Sequence, residues 1–570
     1  MSLFGSIQLA NNALRAQQIG LQVVGQNIAN ANTPGYIREE VVLSPAPTQR
    51  VGNLLLGLGV EVEAIVQKID KFLEERLRGA ESDRSSSETQ EEVYLQLEAI
   101  IGELSDTDLS TSLNNFFNTI NDVANQIDDV GIRNLAVLQG RRLADDVARL
   151  ANRVDQIRSD LNDRVIDTAD EINTLLEEVR TLNIRITQTE GGSTNASDAV
   201  GLRDQRGLAL SKLAQLIEIR TEEQPSGAVN IFSGGDFLVF EGISRVVSIN
   251  LETDRGLSIA DLRIEETNAS LESSGGELTG LTVSRDTILG GFLDNLDSFA
   301  ATFIFEFNQL HTGGQGLSGF QSLTSEFPVD DATLALDATG LEFTPVNGSF
   351  QVELFNKQTG LVSGTTNILV NLDGLGTDTS LNDLAAALSA VGGITATVSS
   401  TGRLTINSDS PDQDIFFSDD TSGVLAALGL NTFFSGSTAR DISVNQVLVK
   451  DPAKFAAQGA RIGGEGREAN GNALNMAGFM DLQLESASGA TLTVLYSRLT
   501  AEVTQGSSVA RAVADGFRVF EETLRGQQLG VSGVSLDEEA VRMISFQRAF
   551  QASARYISTL SELLELLVNI

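Results

Sequence analysis

Cysteine is absent from all 570 residues, and so is tryptophan; there is one histidine, four tyrosines and eight prolines. Without cysteine there are no disulfides, no thiol nucleophile and no thiolate zinc site. A lone histidine, His311, leaves no partner histidine for a zinc cluster. A catalytic triad would need companions that the sequence does not supply. A structural or surface role is expected for it. Basic residues are also few. The formal net charge of −38 disfavours nucleic acid and anionic membrane surfaces, both of which need a basic face. No run of 18 apolar residues is present, so no membrane insertion is expected. The N-terminus lacks a basic region followed by an apolar core, and no cleavable signal peptide is expected.

A chain of this length exceeds a single core, and 41% hydrophobic residues suffices for globular packing. Both ends carry helical apolar stripes. Leu3, Ile7, Ala10, Leu14, Gln17, Leu21, Val24 and Ile28 alternate four and three apart. Thr33-Pro34-Gly35-Tyr36 ends that helix. Met543, Phe546, Phe550, Ser553, Ile557, Leu560, Leu564 and Leu567 repeat the spacing, after a capping-box start at Ser535 to Glu538. With Leu563, Leu566 and Val568 the last two turns are apolar nearly all round. One partner helix covers only one face, so these ends are expected to pair with each other and with other copies.

Between them the period changes several times. Short strands are expected over 41–43 and 57–62. Helix runs from about Ile69 to Thr187, broken near Gly102 and Ser105-Asp106-Thr107. Its last member, about Ile132 to Thr187, would be a rod roughly 70–80 Å long. A turn at Gly191 to Asn195 and a helix from Leu202 to Ile219 follow. A period of two then marks strands around Val229, Phe237 to Phe240, Val246 to Ile249 and Leu262 to Ile264. Gly275-Gly276 ends that block, and helix returns from about Arg285 to His311. Gly313-Gly314-Gln315-Gly316 reads as a hinge-like linker into a second β-rich block, 320–445. Helix resumes near Pro452, and the longest return helix ends about Gly526.

The expected fold is α+β and multidomain. Residues 1–40 and 530–570 make a terminal coiled-coil pair. Residues 41–224 and 450–529 make a long-helix rod. Two β-rich distal domains, 225–312 and 313–449, are inserted between the helical halves.

Candidate chemistry is thin. Asp409, Asp412, Asp414, Asp419 and Asp420 do not fit the EF-hand spacing and read as a solvated acidic face. Gly463-Gly464-Glu465-Gly466 lacks the dinucleotide-binding spacing. Three glycosylation sequons, at Asn195, Asn268 and Asn347, are short enough to arise by chance. No catalytic, cofactor or metal residue is assigned, and the chain is not expected to be an enzyme.

Asn27-Ile28-Ala29-Asn30-Ala31-Asn32-Thr33-Pro34-Gly35-Tyr36 resembles the N-terminal signature of bacterial flagellar rod, hook and hook-associated proteins. Gly533-Val534-Ser535-Leu536-Asp537-Glu538-Glu539, with Ile544 to Arg555, resembles their C-terminal signature. The long helical segment, Leu202-Arg203-Asp204-Gln205-Arg206, and Phe307 to Gly314 narrow the resemblance to the hook-associated branch. It covers roughly residues 1–312 and 445–570. The resemblance implies a structural axial protein that forms a ring between hook and filament. It implies export unfolded through the flagellar type III channel, an extracellular place on the flagellum, and a dedicated export chaperone. The hook protein and a second hook-associated protein would be its neighbours. A hook or flagellin-like filament subunit, or an exported enzyme on the β insert, are the alternatives. The assembly interface is placed on Leu3, Ile7, Leu14, Leu21, Val24, Ile28, Phe546, Phe550, Ile557, Leu560, Leu564 and Leu567. Asn27, Asn30, Asn32, Thr33, Pro34, Gly35 and Tyr36 are read as an elbow of capping and turn residues.

Overall fold

A computed structural model of the chain describes residues 3–51, 54–102, 109–191, 199–459 and 470–568. Helix α1 spans Leu3–Ala29, and strands β1 (Glu39–Pro45), β2 (Thr48–Val51), β3 (Leu54–Gly57) and β4 (Val60–Gln67) follow it. Helices α2 (Lys71–Gly102), α3 (Leu109–Asn125), α4 (Val130–Glu190) and α5 (Val200–Leu216) come next. Strands β5 (Arg220–Glu223), β6 (Val229–Ser233), β7 (Asp236–Phe240), β8 (Ile243–Ser244), β9 (Val247–Asp254), β10 (Leu257–Ile264) and β11 (Ala269–Ser270) precede α6 (Gly276–Val283) and α7 (Gly290–Thr312). The second β-rich run holds β12 (Ser322–Thr324), β13 (Gly348–Asn356), β14 (Leu361–Val370), α8 (Leu381–Ser389), β15 (Ile394–Val398), β16 (Leu404–Ser408), β17 (Gln413–Ser418) and α9 (Val424–Leu428). Strands β18 (Phe434–Ser435) and β19 (Ser443–Val444) lead to helices α10 (Gln446–Lys450), α11 (Gly471–Ala477), α12 (Leu492–Ser532) and α13 (Leu536–Val568).

The chain forms two compact units: Met1–Val93, Ser159–Thr287 and Ser508–Ile570 make one, and Tyr94–Arg158 with Ile288–Ser507 the other. In the first unit α2 and α12 run antiparallel over Leu73, Leu77, Ala80, Leu524 and Val531. Charged pairs flank this seam, with Arg525 on Glu81 at 2.7 Å and Arg518 on Glu88 at 3.1 Å. The strands here dock on α4 through asparagines. Asn183 accepts from the Val229 amide at 3.0 Å and donates to its carbonyl at 2.8 Å. Asn173 does the same to Val247, with both bonds at 2.8 Å. Asn162 accepts from the Ala260 amide at 2.7 Å. These three positions lie about three helical turns apart, so they share one face. Each bond satisfies backbone that would otherwise be buried without a partner.

In the second unit sheets β12-β16-β15 and β14-β13-β17 close with α8 and α9 over one core, with Phe350, Val352, Leu384, Leu404 and Ile415 among its members. Beside it lies an aromatic cluster of Phe116, Phe117, Phe303, Phe307, Phe433, Phe434 and Phe479. Phe433 and Phe434 have ring centroids 4.7 Å apart in an edge-to-face geometry, and Phe303 lies 4.9 Å from Phe434. Gly140 in α4 is required there, because a Cβ would lie 2.5 Å from the Phe433 ring.

Several expectations change. The return helix starts at Gly276 rather than Arg285, and a π-helical turn over Ser284–Leu289 joins α6 to α7. By length and hydropathy the run Gly276–Thr312 could cross a membrane. Phe292, Leu296, Phe299, Phe303 and Phe307 within it are buried in the fold. The glycine run at 313–316 is not a hinge. Gln315 is buried and exchanges both backbone hydrogen bonds with Gln458, at 2.8 and 3.0 Å. A Cβ on Gly314 would lie 2.2 Å from Asn472, so these glycines serve close approach. Helix α12 passes Gly526 and Gly530 and ends at Ser532. Of the turn expected over Gly191 to Asn195, residues from 192 on lie outside those described, as do the Asn195 sequon and Gly463-Gly464-Glu465-Gly466.

Candidate assembly site

The site is built where α1, the β1–β4 ribbon and α13 meet. Helix α1 lies antiparallel to α13, with Asn27 beside Glu539 and Gly20 beside Phe546. Its most buried positions are small: Ser6, Ala10, Ala16, Gly20, Val23, Val24 and Asn27. A Cβ on Gly20 would lie 2.7 Å from the Phe546 ring. The ribbon covers another side of α1; Asn12 donates to the Leu58 carbonyl at 3.0 Å.

Of the twelve expected interface residues, Val24 and Leu560 are buried, and Ile7, Leu14, Leu21, Ile28, Phe546, Ile557 and Leu564 are half-buried. Phe550 is 36% exposed. The side chains of Leu3 and Leu567 lie outside those described. Leu563 and Leu566, expected to widen the stripe, are open to solvent, and so are Val541 (69% exposed), Ile544 and Tyr556, which were not singled out from the sequence. Their spacing puts them on the side of α13 turned away from α1, so α13 has two apolar faces.

The elbow divides in two. Asn30, Asn32, Thr33, Pro34 and Gly35 form the expected turn. The Thr33 amide donates to the Asn30 carbonyl at 2.9 Å, the Asn30 side chain donates to the Gln26 carbonyl at 3.1 Å, and Gly35 has φ of 78°. Asn27 does something else and corrects the reading of it as a capping residue. It is fully buried inside α1. Its Nδ2 donates to the Glu39 carbonyl at 3.0 Å and to Glu539 Oε2 at 3.1 Å. Its Oδ1 accepts from the Glu39 amide at 2.9 Å and the Tyr36 hydroxyl at 2.8 Å. One amide thus clamps α1, β1 and α13 together.

Arg38 completes the clamp and was not singled out from the sequence. Its Nη2 lies 2.7 Å from Glu539 Oε1, and its Nη1 lies 2.8 Å from Glu538 Oε2. Glu538, expected in a capping box, is therefore used between elements. Both Arg38 and Glu539 are buried, so each charge depends on the other. The hydroxyl pKa of Tyr36 is pushed up, first by burial and then by the charges of Glu39, Asp204 and Glu539. A pocket of about 180 Å³ opens beside the clamp, lined by Gly20, Val24, Asn27, Val41, Arg542 and Phe546 among others.

The Leu202-to-Arg206 stretch supports the elbow from outside. Arg203 grips Glu190 with two bonds, at 2.7 and 2.8 Å. Arg206 binds Asn183 Oδ1 at 3.0 Å and the Gly227 carbonyl at 2.6 Å. Asp204 accepts from Gln67 at 2.6 Å and from the Ile37 amide at 3.4 Å; burial raises its pKa to about 6.

His311 lies in the other unit, fully buried. Its Nδ1 faces the Asn431 carbonyl at 2.8 Å and its Nε2 accepts from the Ala456 amide at 3.1 Å. Burial lowers its pKa to about 4, so it is neutral at pH 7, with both ring nitrogens engaged by backbone. The acidic residues of the β insert are bonded to protein groups. Asp420 accepts from Ser422 and Leu425, and Asp414 pairs with Lys357 at 3.2 Å. Among the described residues no group of three or more metal-ligating side chains occurs.

A family model described as flagellar hook-associated protein FlgK helical domain matches residues 94–325. Models described as flagella basal body rod protein and flagellar basal body rod FlgEFG protein C-terminal match residues 7–36 and 526–570, the two helical ends that the clamp joins. The chain is an axial protein of the bacterial flagellum. Its full-length relatives carry the name flagellar hook-associated protein 1. It is similar over its full length to that protein from Bacillus subtilis, at 25% identity with 98% of the relative covered. The Salmonella typhimurium protein of the same name is 23% identical, with 99% of each chain covered. In fold it resembles the flagellar hook junction protein FlgK from Burkholderia pseudomallei. The TM-score is 0.50 and the identity 17%, covering 80% of this chain and all of that one.

Proposed function

We propose that this protein forms the ring that joins hook to filament, with α1 and α13 as the wall of its inner tube. The observation that carries this is the second apolar face of α13. One face is used on α1, and Val541, Ile544, Tyr556, Leu563 and Leu566 remain for neighbours. Apolar side chains at regular helical spacing on an exposed face mark an interaction surface. The hook protein is the neighbour on one side of the ring and the second hook-associated protein on the other. Before assembly the same face is what an export chaperone would cover. The chain would leave the cell unfolded, without a cleaved signal, and fold outside at the flagellar tip. The β-rich block 313–449 would be an outer, variable domain. Its role is structural rather than enzymatic, since His311 is occupied by backbone and the acidic residues by their own loops.

Deleting Ile557–Ile570 is expected to leave the β-rich parts folded and to abolish ring formation, read by electron microscopy of cells and by circular dichroism of the purified chain. Rings made by the truncated protein would defeat the proposal. The rival reading, a filament subunit, is separated by immunolabelling. Label along the whole filament favours it, and label at one point between hook and filament excludes it.

A further inference from the structure

The second apolar face of α13 needs a surface to receive it, and the chain carries a receptor beside the clamp. The pocket of about 180 Å³ there has an apolar floor, Val24, Val41 and Phe546, and a polar rim, Glu40, Arg542 and Ser545. Arg542 donates to Glu40 at 3.4 Å, at the weak end of hydrogen-bond lengths. Small-molecule sites run to about 300–1,000 Å³, so this pocket is the size for one side chain. An apolar floor under a charged rim suits a side chain with an apolar body and a polar tip.

Tyrosine is such a side chain, and of the four in the chain Tyr556 alone is exposed, at 42%. It belongs to the second face of α13. It stands eleven residues beyond Ser545, close to three full turns, so the two lie on one side of the helix. The same spacing sets it roughly 16 Å further along the axis. Tyr556 therefore cannot fill the pocket of its own chain. A second copy lying alongside in the same direction, displaced by that distance, brings its Tyr556 over the mouth.

We propose that Tyr556 of each copy inserts into the pocket of the next, its ring on Val24, Val41 and Phe546 and its hydroxyl at the Glu40–Arg542 pair. This contact presupposes the ring of copies proposed for the junction and gives it a named join. Both halves of the contact involve α13, so one displacement repeated from copy to copy brings every knob to a pocket. Knob and pocket are different surfaces. The contact is therefore heterologous and continues from copy to copy, whereas a face meeting itself would stop at a dimer. A different protein in the pocket would leave Tyr556 uncovered.

Because the chain has no cysteine, two can be placed without background. Ser545 is exposed on the rim, and Thr559 is exposed one turn beyond Tyr556. In flagella isolated from cells making the full-length Ser545→Cys, Thr559→Cys chain, a short bismaleimide is expected to give a ladder of linked copies beyond the dimer. Either cysteine alone should give none, and the two single variants made in one cell should stop at the dimer. With Tyr556→Ala added, the yield per chain present should fall about tenfold or more, as for a central aromatic anchor. With Tyr556→Phe added, which keeps the ring, most of the yield should remain. No ladder from the double variant, links from either cysteine alone, links only to a different protein, or a yield indifferent to Tyr556→Ala would each overturn the contact. The ring itself fails separately. Label at one point between hook and filament with no ladder removes the contact and leaves the ring. A ladder from chain labelled along the whole filament keeps the contact and removes the ring.

Discussion

Gly20 sits inside a 27-residue helix, where glycine is unfavourable by about 1 kcal/mol relative to alanine. It is tolerated because the Phe546 ring occupies the space its side chain would fill. Gly20→Val is therefore expected to destabilise the α1–α13 pair by roughly 1–3 kcal/mol, the usual range for overpacking. Gly25→Val is the control, since nothing lies within 4 Å of a Cβ there. If the cause is the ring, Gly20→Val with Phe546→Ala should cost less than the two changes summed, by about 1 kcal/mol. Amide exchange across α1 measures it; full additivity would mean that the two residues are not coupled. The seam's apolar period was readable in the sequence, but its small-residue character was not. Period counts apolar residues without regard to size, and only the facing side chain explains why position 20 must be empty. The clamp shows the same limit. Asn27 and Arg38 meet Glu539 across more than five hundred residues, and nothing local to any of them marks the other.

At the scale of elements, the long helices and most strands were readable because their apolar periods run for many turns. Their ends were read less well, and glycine is the reason. The sequence places the stop at about Gly526, yet α12 runs through Gly526 and Gly530 to Ser532. Leu524 and Val531 pack on Leu73 and Leu77 across this stretch, and that packing outweighs a propensity penalty of about 1 kcal/mol per glycine. The hinge at 313–316 failed for the complementary reason: there the glycines admit neighbouring backbone. This yields a prediction about the same residue type in opposite senses. Gly526→Ala and Gly530→Ala meet nothing within 4 Å, and each is expected to stabilise the protein by about 0.5–1 kcal/mol. Gly314→Ala has no room beside Asn472 and Ala456 and is expected to destabilise it. Urea midpoints of the three variants test this. A Gly314→Ala protein as stable as its parent would restore the hinge.

Across the whole molecule, the α2–α12 seam of one unit and the surroundings of α7 in the other are expected to respond to acid in opposite directions, because Glu81 and His311 are each buried with the neutral form favoured. In the first, Glu81 lies between α2 and α12. Burial raises its pKa from 4.5 to about 7, against the pull of Arg525. A carboxyl whose pKa is raised on folding is fully stabilising below its unfolded value, and that stabilisation is lost as pH rises through the folded value. Acidifying from pH 7.5 to 5 should therefore strengthen the α2–α12 pairing. In the second unit His311 has its pKa lowered from 6.5 to about 4. Its neutral form fits the site, so the contribution is complete above 6.5 and is lost as pH falls toward 4. The full span corresponds to about 3 kcal/mol. Hydrogen exchange corrected for intrinsic rates should show α2 and the 508–532 part of α12 becoming more protected between pH 7.5 and 5. Around α7 the amides should become less protected. Glu81→Gln should flatten the first trend without touching the second. The sequence marked His311 as single and left Glu81 indistinguishable from the other acids, because the apolar seam beside it is made by residues more than four hundred positions apart. If both regions lose protection together on acidification, general acid unfolding is at work, and neither buried group governs the pH response.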